Sequence, residues 1–578
     1  MPSPYNPLIL AVTKGDMSFM LCVHLYPQSR DPAVNPSIPN LPPSDNKTSI
    51  PLKTRKIVHQ SDLLLARQAL TMTILLSTLN ARYSHASLGL RYLQANMGDL
   101  RDQTQLHEFV IGAKTTDIVE KLLAHKATDG STTIIGFGVY IWNIEECTKV
   151  VAMLKCVAPE IIIVLGGPEV SYESDQQQIV KLADYLVTGW GDITFPDLCQ
   201  QIIKGPKPLM KTHIGKQPPM EDIALPYSLY SDHDIAHRTL YVEASRGCPF
   251  KCEFCLSALD KTAWPFALDN FLAELESLHA RGARLFKFVD RTFNLNVKTS
   301  LKILQFFLDK LEAHPDDPVF AHFELVPDHL PDALKEAITK FPAGALQFEI
   351  GIQSFNPDVQ ALVSRKQNNQ KAADNIRWLI TESHAHLHVD LIAGLPGEDV
   401  DSFARGFDKL VALEPHEIQF GILKRLRGTP IIRHTQTFGL VFDPHPPYTI
   451  LATNLIDFAT MQRLVRFSRY WDLVANSGRF AHTLPIILGD TPFFSFMAFS
   501  DWLYKKTDAT HRIAMDRLAG LVGQWLRLQG LSDASVNAVL STDYAGQPPK
   551  LPNAPKPVIA AEHAPTVAPQ RQARHLTA

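Results

Sequence analysis

Residues Thr239–Cys255 read TLYVEASRGCPFKCEFC: a short apolar strand, a Ser-Arg-Gly turn, then Cys248, Cys252 and Cys255 in a C-x3-C-x2-C array. The chain has only 7 cysteines in 578 residues, and Cys255 is the last of them. So sparse a set builds no disulfide framework, and in a reducing compartment a tight cysteine cluster binds metal or does chemistry. A structural zinc site closes with four ligands, commonly two C-x2-C pairs, and no second pair follows here. Three thiolates leave one metal position open. In a four-iron, four-sulfur cluster held this way the fourth iron can take a chelating small molecule, which is a catalytic feature.

The array follows the first of six strand-like runs, TLYVEAS, LFKFVD, VFAHFELV, ALQFEIGIQ, LHVDLIAGL and EIQFGILK, with helix-like stretches between them. Strands alternating with amphipathic helices predict a parallel sheet. Six such units over 236–434 predict an incomplete TIM-type (β/α)6 barrel, whose site sits at the strand carboxyl ends. The cysteines stand at one such end.

Upstream, 72–201 shows the same alternation and predicts a Rossmann-like α/β domain. Its strand ends carry Asn80, Tyr140, Gly166, Gly167, Gly189 and Gly191, small or flat residues at the place where open α/β sheets bind ligands. Tight βα turns account for the glycines equally well. A proline-containing linker is expected over 202–235, a helical domain over 435–545, and a disordered Pro/Ala-rich tail over 546–578. Residues 1–71 lack periodicity and read as a disordered extension, with Met72 as the expected natural start.

The net charge of -3 and the absence of charged runs give no reason to expect a nucleic-acid or membrane partner. Apolar stretches fall short of the roughly 20 residues that span a bilayer. Lys14 and Asp16 interrupt a faint signal-like N-terminus. The expected location is cytoplasmic.

The array, placed after the first strand of a β/α barrel and with Phe254 just before its last cysteine, resembles the radical S-adenosylmethionine (SAM) superfamily, in the branch of coproporphyrinogen oxidases and methylthiotransferases. That resemblance implies a [4Fe-4S] cluster on Cys248, Cys252 and Cys255, with SAM on the open iron, reductive SAM cleavage, and a reductant such as flavodoxin or ferredoxin. It also implies SAM contacts from Phe254, Glu324, Gln353, Ser354, Arg365 and Asp390. Where the family has a glycine pair after the second strand, this chain has FVDRTFN, so Asp290, Arg291 and Thr292 would face the methionine end of SAM.

The front domain, with VLGGPEVSY and TGWGD, is similar to cobalamin-binding domains of B12-dependent radical SAM enzymes, and the whole arrangement resembles B12-binding-domain radical SAM proteins with a C-terminal domain of unassigned function. By that resemblance Asn80, Tyr140 and the four glycines would cradle cobalamin. The D-x-H-x-x-G signature is absent, since His85 lies one residue too far from Gly89 and lacks the aspartate. The expectation is cobalamin without a protein histidine on cobalt, or no cobalamin at all. A second cluster in the front domain is not expected: Cys147 and Cys156 are nine residues apart, about 180° around a continuous helix, and these two with Cys199 read as buried hydrophobes. The RFSRYWDLVANSGRF segment could clamp an anionic substrate, although helix packing explains it as well.

The function these features support is reductive SAM cleavage with cobalamin, to methylate or rearrange an unknown substrate. A cobalamin-independent radical SAM enzyme with an empty front domain and a non-catalytic iron–sulfur sensor are the rivals.

Overall fold

The computed structural model describes residues 73–129, 131–260, 262–545 and 570–576. The expected N-terminal extension, with its Met72 start, and residues 546–569 lie outside the described residues.

The first sheet holds β1 (Thr73–Asn80), β2 (Thr104–Val110), β3 (Thr133–Gly138), β4 (Ile162–Gly166), β5 (Tyr185–Gly189) and β6 (Thr212–Gly215). Its order is β2-β1-β3-β4-β5-β6, with every pairing parallel. Helices cover both faces, so β1 is buried from Ile74 to Asn80. Its alternate side chains feed opposite cores: Leu75 and Leu79 pack with Ile135 and Val150, Ile74 and Leu76 with Ile134 and Phe195. Among the covering helices are α1 (Leu88–Ala95), α2 (Ile144–Val157) and α3 (Gly191–Lys204). Strands β2 and β6 were not expected. They are edge strands, covered on one side only, and their TQLHEFV and THIG sequences mix polar with apolar residues accordingly. The expected linker over 202–235 therefore takes in the end of α3 and a strand of the front sheet.

Helix α2 is continuous, and Cys147 is fully buried on it while Cys156 is exposed. The half-turn between them that forbids a shared cluster also corrects the reading of Cys156 as buried: one side of α2 faces the sheet and the other faces solvent. Cys199 is buried, as expected.

The second sheet starts with β7 (Leu240–Val242). A small hairpin of β8 (Ser245–Gly247) and β9 (Ala263–Pro265) follows, then β10 (Leu285–Phe288), β11 (Phe320–Leu325), β12 (Leu346–Gln353), β13 (His386–Ala393) and β14 (Glu417–Ile422). The order β14-β13-β12-β11-β10-β7 is parallel throughout. The six strands are those read from the sequence, and β7 and β14 do not meet, so the barrel has an open flank.

The C-terminal part begins with a one-turn helix, Thr435–Phe438, and an antiparallel pair, β15 (Val441–Phe442) and β16 (Ile450–Ala452), before its longer helices. Helix α4 (Phe458–Val474) lies on the exposed edge of β14. Just beyond it, Asn476 accepts from the Ile418 amide at 3.0 Å and donates to the Ile418 carbonyl at 2.9 Å, standing in for a missing neighbour strand. Ser468 donates to the Phe420 carbonyl at 2.6 Å. Both contacts satisfy edge groups that would otherwise lose water without gaining a partner.

Within the expected disordered tail, residues Gln570–Leu576 form a helix, α5. The Pro/Ala-rich composition concealed it, and specific polar contacts dock it: Arg571 reaches Glu417 at 3.0 Å and Asp472 at 2.7 Å, and His575 Nε2 lies 3.1 Å from the Asn476 carbonyl. Among the described residues no helix is long and apolar enough to cross a membrane.

Candidate active site

The loop after β7 turns back through the β8–β9 hairpin before presenting its cysteines. Gly247, at φ +84°, permits the turn, since a Cβ there would sit 2.3 Å from the Thr262 carbonyl oxygen. Arg246 anchors the loop to the front domain. It lies 2.9 Å from Asp192 of α3 and 2.6 Å from Glu243, under the ring of Tyr92 at 4.1 Å. Glu253, between two of the cysteines, points away from them and accepts from Ser364 at 2.5 Å, with His434 at 2.9 Å and Arg433 also on its carboxylate. Sequence reading missed both anchors. The signal available was their position inside the cysteine motif.

Cys248, Cys252, Phe254 and Cys255 line one cavity of about 1320 Å³ that also reaches the front domain. Burial pushes the Cys248 thiol up to about 11 and raises Cys252, which Arg365 opposes from 3.4 Å. Without a cation the Cys248 and Cys252 thiols are neutral, and loading iron expels their protons. Among the described residues no three His, Cys, Asp or Glu side chains converge on a single ion. Three thiols that each take a different iron of a cluster stand wider apart than the ligands of one ion.

Of the residues expected at SAM, Phe254, Glu324, Gln353, Arg365 and Asp390 line this cavity, together with Arg291 and Thr292. Gln353 ends β12 at φ +69°, beside a register shift, and its buried Oε1 has no hydrogen-bond partner among the described residues. Gly351 makes room for it: a Cβ there would lie 2.3 Å from Gln353 Nε2. A strained residue aiming an orphaned acceptor into a cavity is what a polar ligand site requires. Arg291 pairs with Glu324 at 3.0 Å. Burial, and next Glu349 and Glu324, push Asp390 well above the usual carboxylate range.

Two expected SAM residues are placed elsewhere. Asp290 turns back to accept from the Ala244 amide at 2.9 Å and Ser245 at 2.7 Å, bracing the start of the cysteine loop. Ser354 donates to Glu398 at 2.6 Å beneath the β12 end.

The expected cobalamin residues are displaced similarly. The front wall of the cavity consists of Ala81, Arg82, Ile141, Trp142 and their neighbours, one step beyond Asn80 and Tyr140. Asn80 instead donates to the His85 carbonyl and to Glu108, both at 2.8 Å. The four glycines do not line the cavity. Gly167 and Gly189 serve turns, because a Cβ would meet the Val139 carbonyl oxygen at 2.4 Å or that of Gly215 at 2.5 Å. The loops after β4 and β5 are taken up by contacts to the barrel, Glu173 with Arg425 at 2.7 Å and Asp192 with Arg246. The remaining wall, with Trp142 stacked on Tyr140, suits a flat ligand. It offers cobalt no imidazole: His85 is held by Tyr241 at 2.8 Å, and burial pushes its pKa down to about 3.

Compared with known families, residues 242–410 match the radical SAM superfamily and residues 75–199 match the B12 binding domain. The chain carries a radical SAM domain and a B12-binding domain. Residues 436–555 match a family described as a protein of unknown function. The chain is 25% identical to an uncharacterized methyltransferase of Pyrococcus horikoshii, over 59% of this chain and 76% of that one. It is 23% identical to the cobalamin-dependent radical SAM methyltransferase TokK of Streptomyces tokunonensis, over 49% of this chain and only 45% of TokK. Its fold resembles the cobalamin-dependent SAM radical enzyme OxsB, with a TM-score of 0.57 over 85% of this chain and 82% of that one at 14% identity. It also resembles the radical SAM methyltransferase TsrM of Kitasatospora setae, with a TM-score of 0.52 over 65% and 76% at 16% identity. At those identities the likeness is one of fold.

Proposed function

We propose that this protein is a cobalamin-dependent radical SAM methyltransferase acting on a small molecule held between its barrel and its C-terminal helices. The observation that carries the reading is the single cavity joining three cysteine thiols, the orphaned Gln353 acceptor and the front-domain wall. When bound, the [4Fe-4S] cluster supplies the electron that cleaves SAM, and cobalamin supplies a methyl carrier.

The chain's own residues bind and orient. Cys248, Cys252 and Cys255 would hold the cluster by three of its irons and leave the fourth open to SAM. Arg365, beside Cys252, forks onto the SAM carboxylate. Gln353 Oε1 accepts from the SAM amino or ribose groups, and a protonated Asp390 donates to a ribose oxygen. The Arg291–Glu324 pair closes the methionine end. Trp142 and Arg82 would shape the side of the cavity that takes cobalamin. Packing of the β8–β9 hairpin on the front domain excludes water from the reacting groups, and the fixed geometry keeps them close. A low-potential reductant of the flavodoxin or ferredoxin type supplies electrons.

The displacement of the four glycines from the cavity favours one second reading, in which the front domain carries no cobalamin. Anaerobic purification after growth with iron and hydroxocobalamin, with iron, sulfide and cobalt quantified, decides between them. About four iron and about one cobalt per chain support the methyltransferase. Iron without cobalt after reconstitution overturns the cobalamin role, and no release of 5′-deoxyadenosine under reduction overturns both.

A further inference from the structure

Strand β6 ends the front sheet, and among the described residues β5 is the strand that pairs with it. The Leu186 amide donates to the Lys211 carbonyl at 2.8 Å, and the Trp190 amide donates to the Gly215 carbonyl at 3.4 Å. Those two carbonyls therefore face β5. In a parallel ladder the N–H and C=O of one residue point the same way and successive residues alternate, so both backbone groups of Thr212 and Ile214 face outward. They form a short open ladder.

Apolar side chains gather on this same edge. Ile214 is 76% exposed, Met210 71%, and Leu209 is fully exposed, whereas β2, at the opposite edge, is half-buried along most of its length. Large apolar residues grouped on an open edge mark a surface that a partner covers. The surrounding charge has one sign: residues 204–216 include Lys204, Lys207, Lys211 and Lys216 and no Asp or Glu. Lys211 reaches the Lys181 carbonyl at 3.3 Å, and the other three are exposed.

Three properties, an open ladder, apolar side chains and positive charge, select the occupant. A second copy would set lysines against lysines, which is how natural edges deter self-pairing. Residues 1–72 and 546–569 of this chain themselves carry more Lys and Arg than Asp and Glu. A lipid surface matches the charge and the apolar groups, but it offers no partner for backbone N–H and C=O groups. An extended acidic peptide satisfies all three.

We propose that the β6 edge is a docking site for an acidic, extended segment of a partner protein, which joins the front sheet as a seventh strand. Main-chain hydrogen bonds to Thr212 and Ile214 set its register, its apolar residues cover Met210 and Ile214, and its carboxylates meet the flanking Lys207 and Lys216. The wall of the cysteine cavity includes no residue of 202–217. Docking at β6 therefore leaves the cavity free.

The test uses the full-length protein and a short fluorescent peptide with a valine core flanked by glutamates. The same core flanked by lysines, the acidic peptide N-methylated at alternate amides, and phosphatidylglycerol vesicles are the comparisons. Fluorescence anisotropy reads binding, and amide exchange reads its place. The expected result is saturable binding of the acidic peptide, with slowed exchange at Thr212 and Ile214 and no binding of the lysine or N-methylated forms. Lys207→Glu combined with Lys216→Glu weakens it about tenfold, or about 1.4 kcal/mol. Ile214→Pro removes an outward N–H that β5 does not use, so β6 keeps its place, and binding again falls about tenfold. Absence of binding, or binding indifferent to Ile214→Pro and to N-methylation, overturns the docking site. Sedimentation with the vesicles without peptide binding assigns the strip to a lipid surface, and self-association abolished by Ile214→Pro assigns it to a second copy; either overturns the proposal.

Discussion

Arg246 Nη1 of the cysteine loop lies 2.9 Å from Oδ2 of Asp192, at the start of α3 in the front domain. The two residues come from TGWGD and SRGC, sequences that each read alone as part of a cofactor site. Their pairing shows that TGWGD is the socket in which the cysteine loop seats.

Arg246→Gln leaves Asp192 and Glu243 as buried, uncompensated carboxylates. Breaking a buried pair costs about 3–5 kcal/mol, so the urea midpoint falls sharply. Iron retention falls with it, because the loop that carries Cys248 loses its anchor. An unchanged midpoint would show that the pair contributes nothing.

Gly351→Ala pushes Gln353 out of place without altering the cysteines. Loss of a hydrogen bond to a charged or strongly polar ligand costs about 1.5–3 kcal/mol. SAM affinity therefore drops by roughly one to two orders of magnitude while iron content stays full, as equilibrium binding on the reconstituted protein would read. Equal affinity in the variant would remove Gln353 from the SAM site.

Cys252→Ala leaves two thiols for a cluster that needs three. Reconstituted iron falls to background while the front-domain core, which shares no residue with the loop, keeps its circular dichroism and thermal transition.

Burial pushes Glu398 up to about 7, with Ser354 and Ser402 opposing the shift. Its folded pKa exceeds its unfolded value of 4.5, so the folded state binds the proton more tightly. The stability this provides is full below about 4.5 and is lost as pH rises through about 7. Chemical denaturation from pH 4.5 to 7 should show that decline, and Glu398→Gln should flatten it. A parallel slope in the variant would assign the pH dependence to other groups.

Asn476→Ala uncovers the Ile418 amide and carbonyl at the β14 edge. Each unsatisfied buried group costs about 1–3 kcal/mol, so amide exchange at β14 and α4 accelerates relative to β11 and β12.

The barrel strands were legible because apolar residues recur at close to every second position in short, largely buried runs flanked by turn residues. Edge strands β2 and β6 were not, since one-sided burial leaves a mixed pattern that a loop also shows. The cysteine motif was legible from spacing alone, and Gln353, read at a strand end, does end β12, whereas Asp390 lies within β13 and Arg365 follows the helix Pro357–Leu362; all three line the cavity. Asp290 and Ser354 were read at strand ends too, yet they turn to the Ala244 amide and to Glu398. A strand end specifies where a side chain starts, and competing partners decide where it points.

The sequence by itself determined the α/β order of the elements, the parallel barrel and the three-thiol array, because hydrophobic period and residue spacing are local properties. Only the tertiary structure decided that GWGD seats the cysteine loop, that Gly167 and Gly189 relieve backbone crowding, and that a helix from the Pro/Ala-rich tail brings Arg571 beside Asp472. Each of these joins residues more than twenty-five positions apart, and such pairings follow from packing and charge balance that no local pattern records.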